Sequence, residues 1–103
     1  MKINPAVIKG IQEGLCAVTA ANTIPGTKDQ NLGTAHFVFY NWDFNKIAVC
    51  GKAGTAQTGF AQPNGWFAAY AGKSGAKPDI AVAVIVERSR EGSETAAPIV
   101  RRI

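Results

Sequence analysis

Hydrophobic and polar positions first repeat at helical spacing. Val7, Ile8, Ile11, Leu15 and Val18 form one apolar stripe behind Asn4-Pro5, a capping residue followed by one that starts helices without losing a bond. Residues 5 to 20 therefore read as an amphipathic helix. Gly10 and Gly14 each cost it about 1 kcal/mol and lie one turn apart, which reads as room for close packing. Asn22 to Gly33 is rich in Asn, Gly, Thr, Pro and Asp and has no period, so it reads as a loop, long enough to wall a site. Thr34 to Phe44 is open to two readings, because His36-Phe37-Val38-Phe39-Tyr40 suits a short helix or a strand; we read it as helix, with His36 a core or surface side chain.

From Lys46 the period becomes two. Ile47, Val49 and Gly51 alternate with Ala48, Cys50 and Lys52, and the run continues to about Phe60. Gln62-Pro63-Asn64-Gly65 is a turn, Trp66 to Ala71 a strand, and Gly72 to Pro78 a second turn. In the next strand Ile80, Val82, Val84 and Val86 occupy one face and Ala81, Ala83 and Ile85 the other, a pattern expected of a strand covered on both sides. After a polar loop from Arg88 to Ser93, Ser93 or Thr95 caps a last helix with Pro98 in its first turn and Arg101 and Arg102 at its carbonyl end. The expected fold class is α+β, an antiparallel β meander covered by N- and C-terminal helices.

Composition narrows the function. The 103 residues suffice for one domain or part of one, and 47% apolar against 17% charged residues excludes a disordered chain. The longest apolar run, Ile80 to Val86, is too short to span a membrane, and the opening residues do not read as a leader. The net charge of +4 is spread over single lysines, so no nucleic-acid partner is expected. No metal-ligand cluster or nucleotide-binding glycine loop is present, so no cofactor is implied. Cys16 and Cys50 lie in apolar surroundings without a C-x-x-C spacing and read as buried thiols.

The most informative stretch is Gly51-Lys52-Ala53-Gly54-Thr55-Ala56-Gln57-Thr58-Gly59. Strand glycines often mark close approach of a ligand or another backbone, and small side chains beside a lysine leave an open edge. The N–H groups of Gly54 and Thr55 suit pairing with an added peptide strand. The competing reading is an ordinary edge strand whose lysine guards against aggregation.

Gly51-Lys52-Ala53-Gly54-Thr55-Ala56-Gln57 resembles the K-T-G or K-S-G motif, often K-T-G-T-A, of the penicillin-binding transpeptidases and their serine β-lactamase relatives. Gly33-Thr34-Ala35, the Trp66 to Tyr70 strand, the Ile80 to Glu87 strand and Ala96-Ala97-Pro98-Ile99 follow in the same order, so the likeness runs from about Val7 to Ile103 and is nearest the class B enzymes. The resemblance implies part of a serine β-lactamase/transpeptidase-like fold and acyl transfer by a serine that attacks a D-alanyl-D-alanine carbonyl. It implies Lys52 as the catalytic lysine, Ala53, Gly54, Thr55 and Gln57 as substrate-binding residues, and the Thr55 N–H as an oxyanion-hole donor. It also implies peptidoglycan stem peptides and β-lactams as partners of the complete protein, and the outer side of the cytoplasmic membrane as its location.

Two departures stand out. Ala53 replaces the usual Thr or Ser, removing one hydroxyl bond to a carboxylate. The nucleophile's Ser-x-x-Lys and the Ser-x-Asn expected before the lysine motif are missing; Ser74-Gly75-Ala76-Lys77 follows the motif and sits in a glycine-rich turn, so it reads as coincidence. Residues 1 to 103 are thus expected to be the C-terminal portion of a transpeptidase domain, inactive alone, with an exposed apolar face covered by the upstream part, a partner or a second copy. The alternatives are a D,D-carboxypeptidase or β-lactamase-like hydrolase, and a small non-catalytic module binding peptide or nucleic acid.

Overall fold

A computed structural model describes residues 2–23, 26–59 and 61–103. The order is α1 (Pro5–Ala17), β1 (Ala21–Thr23), β2 (Gln30–Leu32), β3 (Ile47–Ala56), β4 (Asn64–Lys73), β5 (Ile80–Val86), α2 (Gly92–Thr95) and α3 (Ala97–Arg102). The expected α+β meander is present: β3, β4 and β5 form an antiparallel sheet in that order. The expected strand end at Phe60, and Ile24 and Pro25 of the expected loop, lie outside the described residues.

α1 begins as its sequence dictates, with the Asn4 side-chain oxygen accepting from the Ala6 N–H at 2.9 Å and Pro5 in the first turn. Its apolar stripe does not become core. Val7 and Ile11 remain 52% and 55% exposed, and no residue of the helix is fully buried. Only the C-terminal end docks, where Leu15, Cys16, Ala17 and Val18 are half-buried. The expected backbone packing at Gly10 and Gly14 is absent, for a methyl group at either position meets nothing within 4 Å. Gly10→Ala and Gly14→Ala are therefore each expected to stabilise the chain by about 0.5–1 kcal/mol through helix propensity alone. Thermal unfolding checks this, and destabilisation by either change would contradict the free space around them.

The expected loop from Asn22 to Gly33 contains a short hairpin, in which Ala21 pairs with Leu32 and Thr23 with Gln30. Three-residue strands carry too little pattern to register as a period. Thr34 to Phe44 forms no regular helix but a chain of turns, with Val38 N–H bonded to Ala35 C=O and Phe39 N–H to His36 C=O, each at 3.0 Å. These turns bury Ala35, Val38 and Phe39, while His36 is half-buried.

Strand alternation gives the sheet two unlike faces. Val49, Gly51 and Ala53 share the inner face with Ala71, Ala69 and Phe67 of β4 and with Ile80, Val82 and Val84 of β5. Ala96, Ala97 and Val100 of the C-terminal helices close over this face, and with Phe39 and Phe67 they make the core. Arg101 ties α3 to the turns by donating to the Val38 carbonyl and to Asn41 Oδ1, with its guanidinium 5.9 Å from the Trp42 ring centre. The helix caps differ from expectation. Glu91 and Ala96 occupy the capping positions without side-chain bonds, and Ser93 and Thr95 lie inside α2.

The opposite face is partly bare. α1 covers only the corner around Ala48 and Cys50, while Ala68, Ala81 and Ala83 are exposed and Trp66 and Ile85 are each 43% exposed. The expectation that β5 is covered on both faces is corrected: its alanine face has no helix among the described residues.

The two cysteines are also corrected. Cys16, in the last turn of α1, and Cys50, on β3, form a disulfide rather than buried thiols, because the docked end of α1 lies directly over the strand. Beside it the buried Thr19 hydroxyl donates to the Val49 carbonyl at 2.6 Å and lies 3.3 Å from the Cys16 carbonyl.

Candidate functional site

β3 is the sheet's edge strand among the described residues, since it pairs with β4 on one side only. The lysine motif occupies its second half, with Lys52 opposite Ala68, Ala53 opposite Phe67, Gly54 opposite Trp66 and Thr55 opposite Gly65. Lys52 and Gly54 therefore project to the bare face and Ala53 and Thr55 to the side of the C-terminal helices. The two glycines beside Lys52 do different jobs. Gly51 is buried, and a Cβ there would lie 2.7 Å from the Ala68 carbonyl and 2.9 Å from the Phe67 ring, so this glycine makes room for the core. Gly54 is exposed, and a Cβ there would meet only the Trp66 Cβ at 3.8 Å, so packing within the fold does not require glycine here.

An open cavity of about 280 Å³ runs along this part of β3. Lys52, Ala53, Gly54 and Thr55 line it from β3, Glu91, Gly92 and Ser93 from the start of α2, and Thr34 lines it as well. Gly92 explains how α2 comes so close. A Cβ on it would lie 1.8 Å from the Trp66 carbonyl oxygen and 2.7 Å from that of Gly54, so only glycine permits this contact. The loop before α2 is held by hydroxyls: Ser89 Oγ accepts from the Gly65 N–H at 3.2 Å, donates to the Val86 carbonyl at 2.8 Å and lies 3.1 Å from Thr95 Oγ1.

The structure thus brings four of the five expected site residues, Lys52, Ala53, Gly54 and Thr55, to one cavity. Gln57 is exposed beyond the end of β3 and does not line it. The Lys52 side chain is exposed, and its ammonium donates to the Ala53 carbonyl at 2.6 Å. Thr34, Glu91 and Ser93 were not legible as site residues. Thr34's only cue was its place in Gly33-Thr34-Ala35, and Glu91 and Ser93 read as loop and cap, because the contact at Gly92 depends on a backbone far away in sequence. Ser74 and Lys77 lie in the β4–β5 turn at the Ile47 end of β3 and do not line this cavity, which agrees with reading their spacing as coincidence.

Taken together, the cavity is lined by a cation, an exposed carboxylate, two threonines and a serine, beside a strand edge that is unpaired among the described residues. That set suits an extended peptide ending in a carboxylate. Among the described residues, no helix is long and apolar enough to cross a membrane. No curated protein and no solved structure matches the chain. The family model for the penicillin-binding protein transpeptidase domain, in contrast, matches residues 1–103. A match over the whole length, with the motif lysine lining a cavity on the edge strand, establishes that the chain belongs to the penicillin-binding protein transpeptidase domain family.

Proposed function

We propose that these residues form the lysine-motif wall of a peptidoglycan D,D-transpeptidase whose serine nucleophile comes from outside residues 1 to 103. The observation that carries the reading is the single cavity shared by Lys52, Ala53, Gly54 and Thr55 along an edge strand. The serine oxygen bonds to the penultimate D-alanine carbonyl carbon, the peptide C–N bond breaks, and the terminal D-alanine leaves as an amine that takes up the proton. An amine of a neighbouring stem peptide then attacks the acyl-enzyme and restores the serine. A β-lactam acylates the same serine.

Each residue has a role in that step. The Lys52 charge attracts the substrate carboxylate and assists proton transfer near the nucleophile. The Thr55 N–H donates to the developing oxyanion and its hydroxyl to the carboxylate. Gly54 keeps the strand flush with the bound peptide. The bare, apolar outer face of the sheet supports the presence of further covering structure, since patches of this kind mark interaction surfaces. The Cys16–Cys50 disulfide supports an oxidising, extracytoplasmic location.

Two measurements test this reading. Genomic sequence upstream of codon 1 is expected to continue in frame through a Ser-x-x-Lys and then a Ser-x-Asn; an in-frame stop just before it would overturn the proposal. Lys52→Ala is expected to fold as the parent chain does, because its side chain is exposed, yet to weaken binding of a D-alanyl-D-alanine peptide at least about tenfold by removing the cation that attracts its carboxylate. Calorimetric titration checks this, and unchanged affinity would remove Lys52 as the carboxylate's partner.

A further inference from the structure

We propose that the Cys16–Cys50 disulfide is a thiol–disulfide exchange site, opened when an external protein dithiol attacks Cys16 Sγ, and that its reduction switches off peptide binding along β3. The link to the peptide rests on the reading above, whereas the exchange step rests on the surroundings of the disulfide alone.

Two open cavities reach the bond. Cys16 and Cys50 line one of about 210 Å³ together with Gln12 and Tyr70, and another of about 410 Å³ together with Glu13 and Phe44. The two residues are unequally accessible. Cys16, in the last turn of α1, is half-buried, whereas Cys50 on β3 is only 4% exposed. Exchange depends on access to the attacked sulfur, which selects Cys16. An incoming thiolate bonds to Cys16 Sγ, the Sγ–Sγ bond breaks, and the electron pair leaves on Cys50 Sγ, which takes up a proton. The partner's second thiolate then attacks its own sulfur in the mixed disulfide, and Cys16 leaves and is protonated in turn. Two electrons pass from the dithiol to the cystine, giving two cysteine thiols and one partner disulfide.

Tyr70 gives the reduced form something the oxidised form lacks. It lies directly opposite Cys50 in the β3–β4 register, so both side chains stand on the outer face of the sheet. Its hydroxyl oxygen is buried with no hydrogen-bond partner among the described residues. Buried polar groups are almost always paired, so this exception calls for a reason. Reduction places a thiol, both a donor and an acceptor, on the facing residue.

The effect on the lysine strand follows from how α1 is held. The helix packs chiefly on β3, and none of its residues is fully buried. Cys50 precedes Lys52 by two positions, on a strand paired with β4 on one side only among the described residues. Without the covalent tie α1 lifts from Cys50, and β3 loses its cover. A strand ordered about a tenth of the time binds its ligand about tenfold more weakly.

The test exposes the oxidised chain to reduced glutathione, traps free thiols with iodoacetamide and maps the products by mass spectrometry. The glutathione adduct is expected on Cys16, with Cys50 alkylated, and faster than global unfolding measured by hydrogen exchange. An adduct on Cys50, or exchange no faster than unfolding, would overturn the site. Dithiothreitol is expected to lower amide protection in β3 while β4 stays protected. It is also expected to weaken binding of N,N′-diacetyl-L-lysyl-D-alanyl-D-alanine at least about tenfold, with recovery on reoxidation. Unchanged protection and affinity in the reduced chain would overturn the switch. An oxidised chain without saturable peptide binding would instead sink the peptide reading, while the adduct position and β3 protection still decide the exchange site. In glutathione buffers Tyr70→Phe is expected to shift the equilibrium towards the disulfide roughly three- to tenfold, the range for one neutral hydrogen bond. An unchanged equilibrium would overturn the part given to Tyr70.

Discussion

Replacing Gly92 by alanine is expected to lower stability by at least about 3 kcal/mol, a fall in melting temperature on the order of 10–25 °C for a domain of this size. The cause is local. A methyl at position 92 would lie 1.8 Å from the Trp66 carbonyl oxygen, 2.6 Å from its carbon and 2.7 Å from the Gly54 carbonyl oxygen. These are backbone atoms of paired strands, so they cannot rotate away as the end of a side chain does. Either α2 lifts from the sheet or the β3–β4 ladder bends, and both uncover the core formed by Ala96, Ala97 and Phe67. Gly54→Ala adds the same methyl on β3 at an ordinary contact distance of 3.8 Å from the Trp66 Cβ and serves as the control. Thermal unfolding by circular dichroism separates the two. Melting of Gly92→Ala within a few degrees of the parent chain would mean that α2 is not seated on β3 and β4, and the cavity wall formed by Glu91 and Ser93 would go with it.

The contrast between these glycines shows where sequence reasoning stops. The start of α1, the three long strands and the arginine-rich end of α3 were legible because each is dictated by local chemistry: Asn4-Pro5, the two-residue period from Ile47, and Arg101 and Arg102 at a carbonyl end. Lys52 to Thr55 were legible as a site because motif wording survives without geometry. Contacts between elements were not. Gly10 and Gly14 look like packing glycines and touch nothing, whereas Gly92 looked like part of a polar loop and has the tightest approach of any glycine described. The apolar residues on both faces of β5 suggested cover on both sides, but the period of a strand says which residues share a face and nothing about whether that face is covered. Ser93 escaped for the same reason, since its burial follows from where α2 lands.

Reduction of the Cys16–Cys50 bond, or its replacement by serines, is expected to cost about 4 kcal/mol and to lower the melting temperature by some 15–30 °C. The bond closes a loop across a sequence separation of 34, and in the chain-entropy account its loss returns that much freedom to the unfolded chain. The folded state has little else with which to hold α1. None of its residues is fully buried, its apolar stripe faces outwards, and a helix of 13 residues is marginal in water on its own. Reduction is therefore expected to release α1 before the sheet melts, seen as loss of part of the far-ultraviolet helical signal while hydrogen exchange still protects β4. β3 is then expected to loosen selectively, because Cys50 lies two residues before Lys52 on an edge strand whose other side has no partner among the described residues. A reduced chain that melts at the oxidised temperature, with α1 amides still protected, would show that the Thr19 bond to Val49 and the half-buried end of the helix suffice to dock it. The opposite result makes the disulfide the fastener that keeps the lysine strand in register beside its cavity.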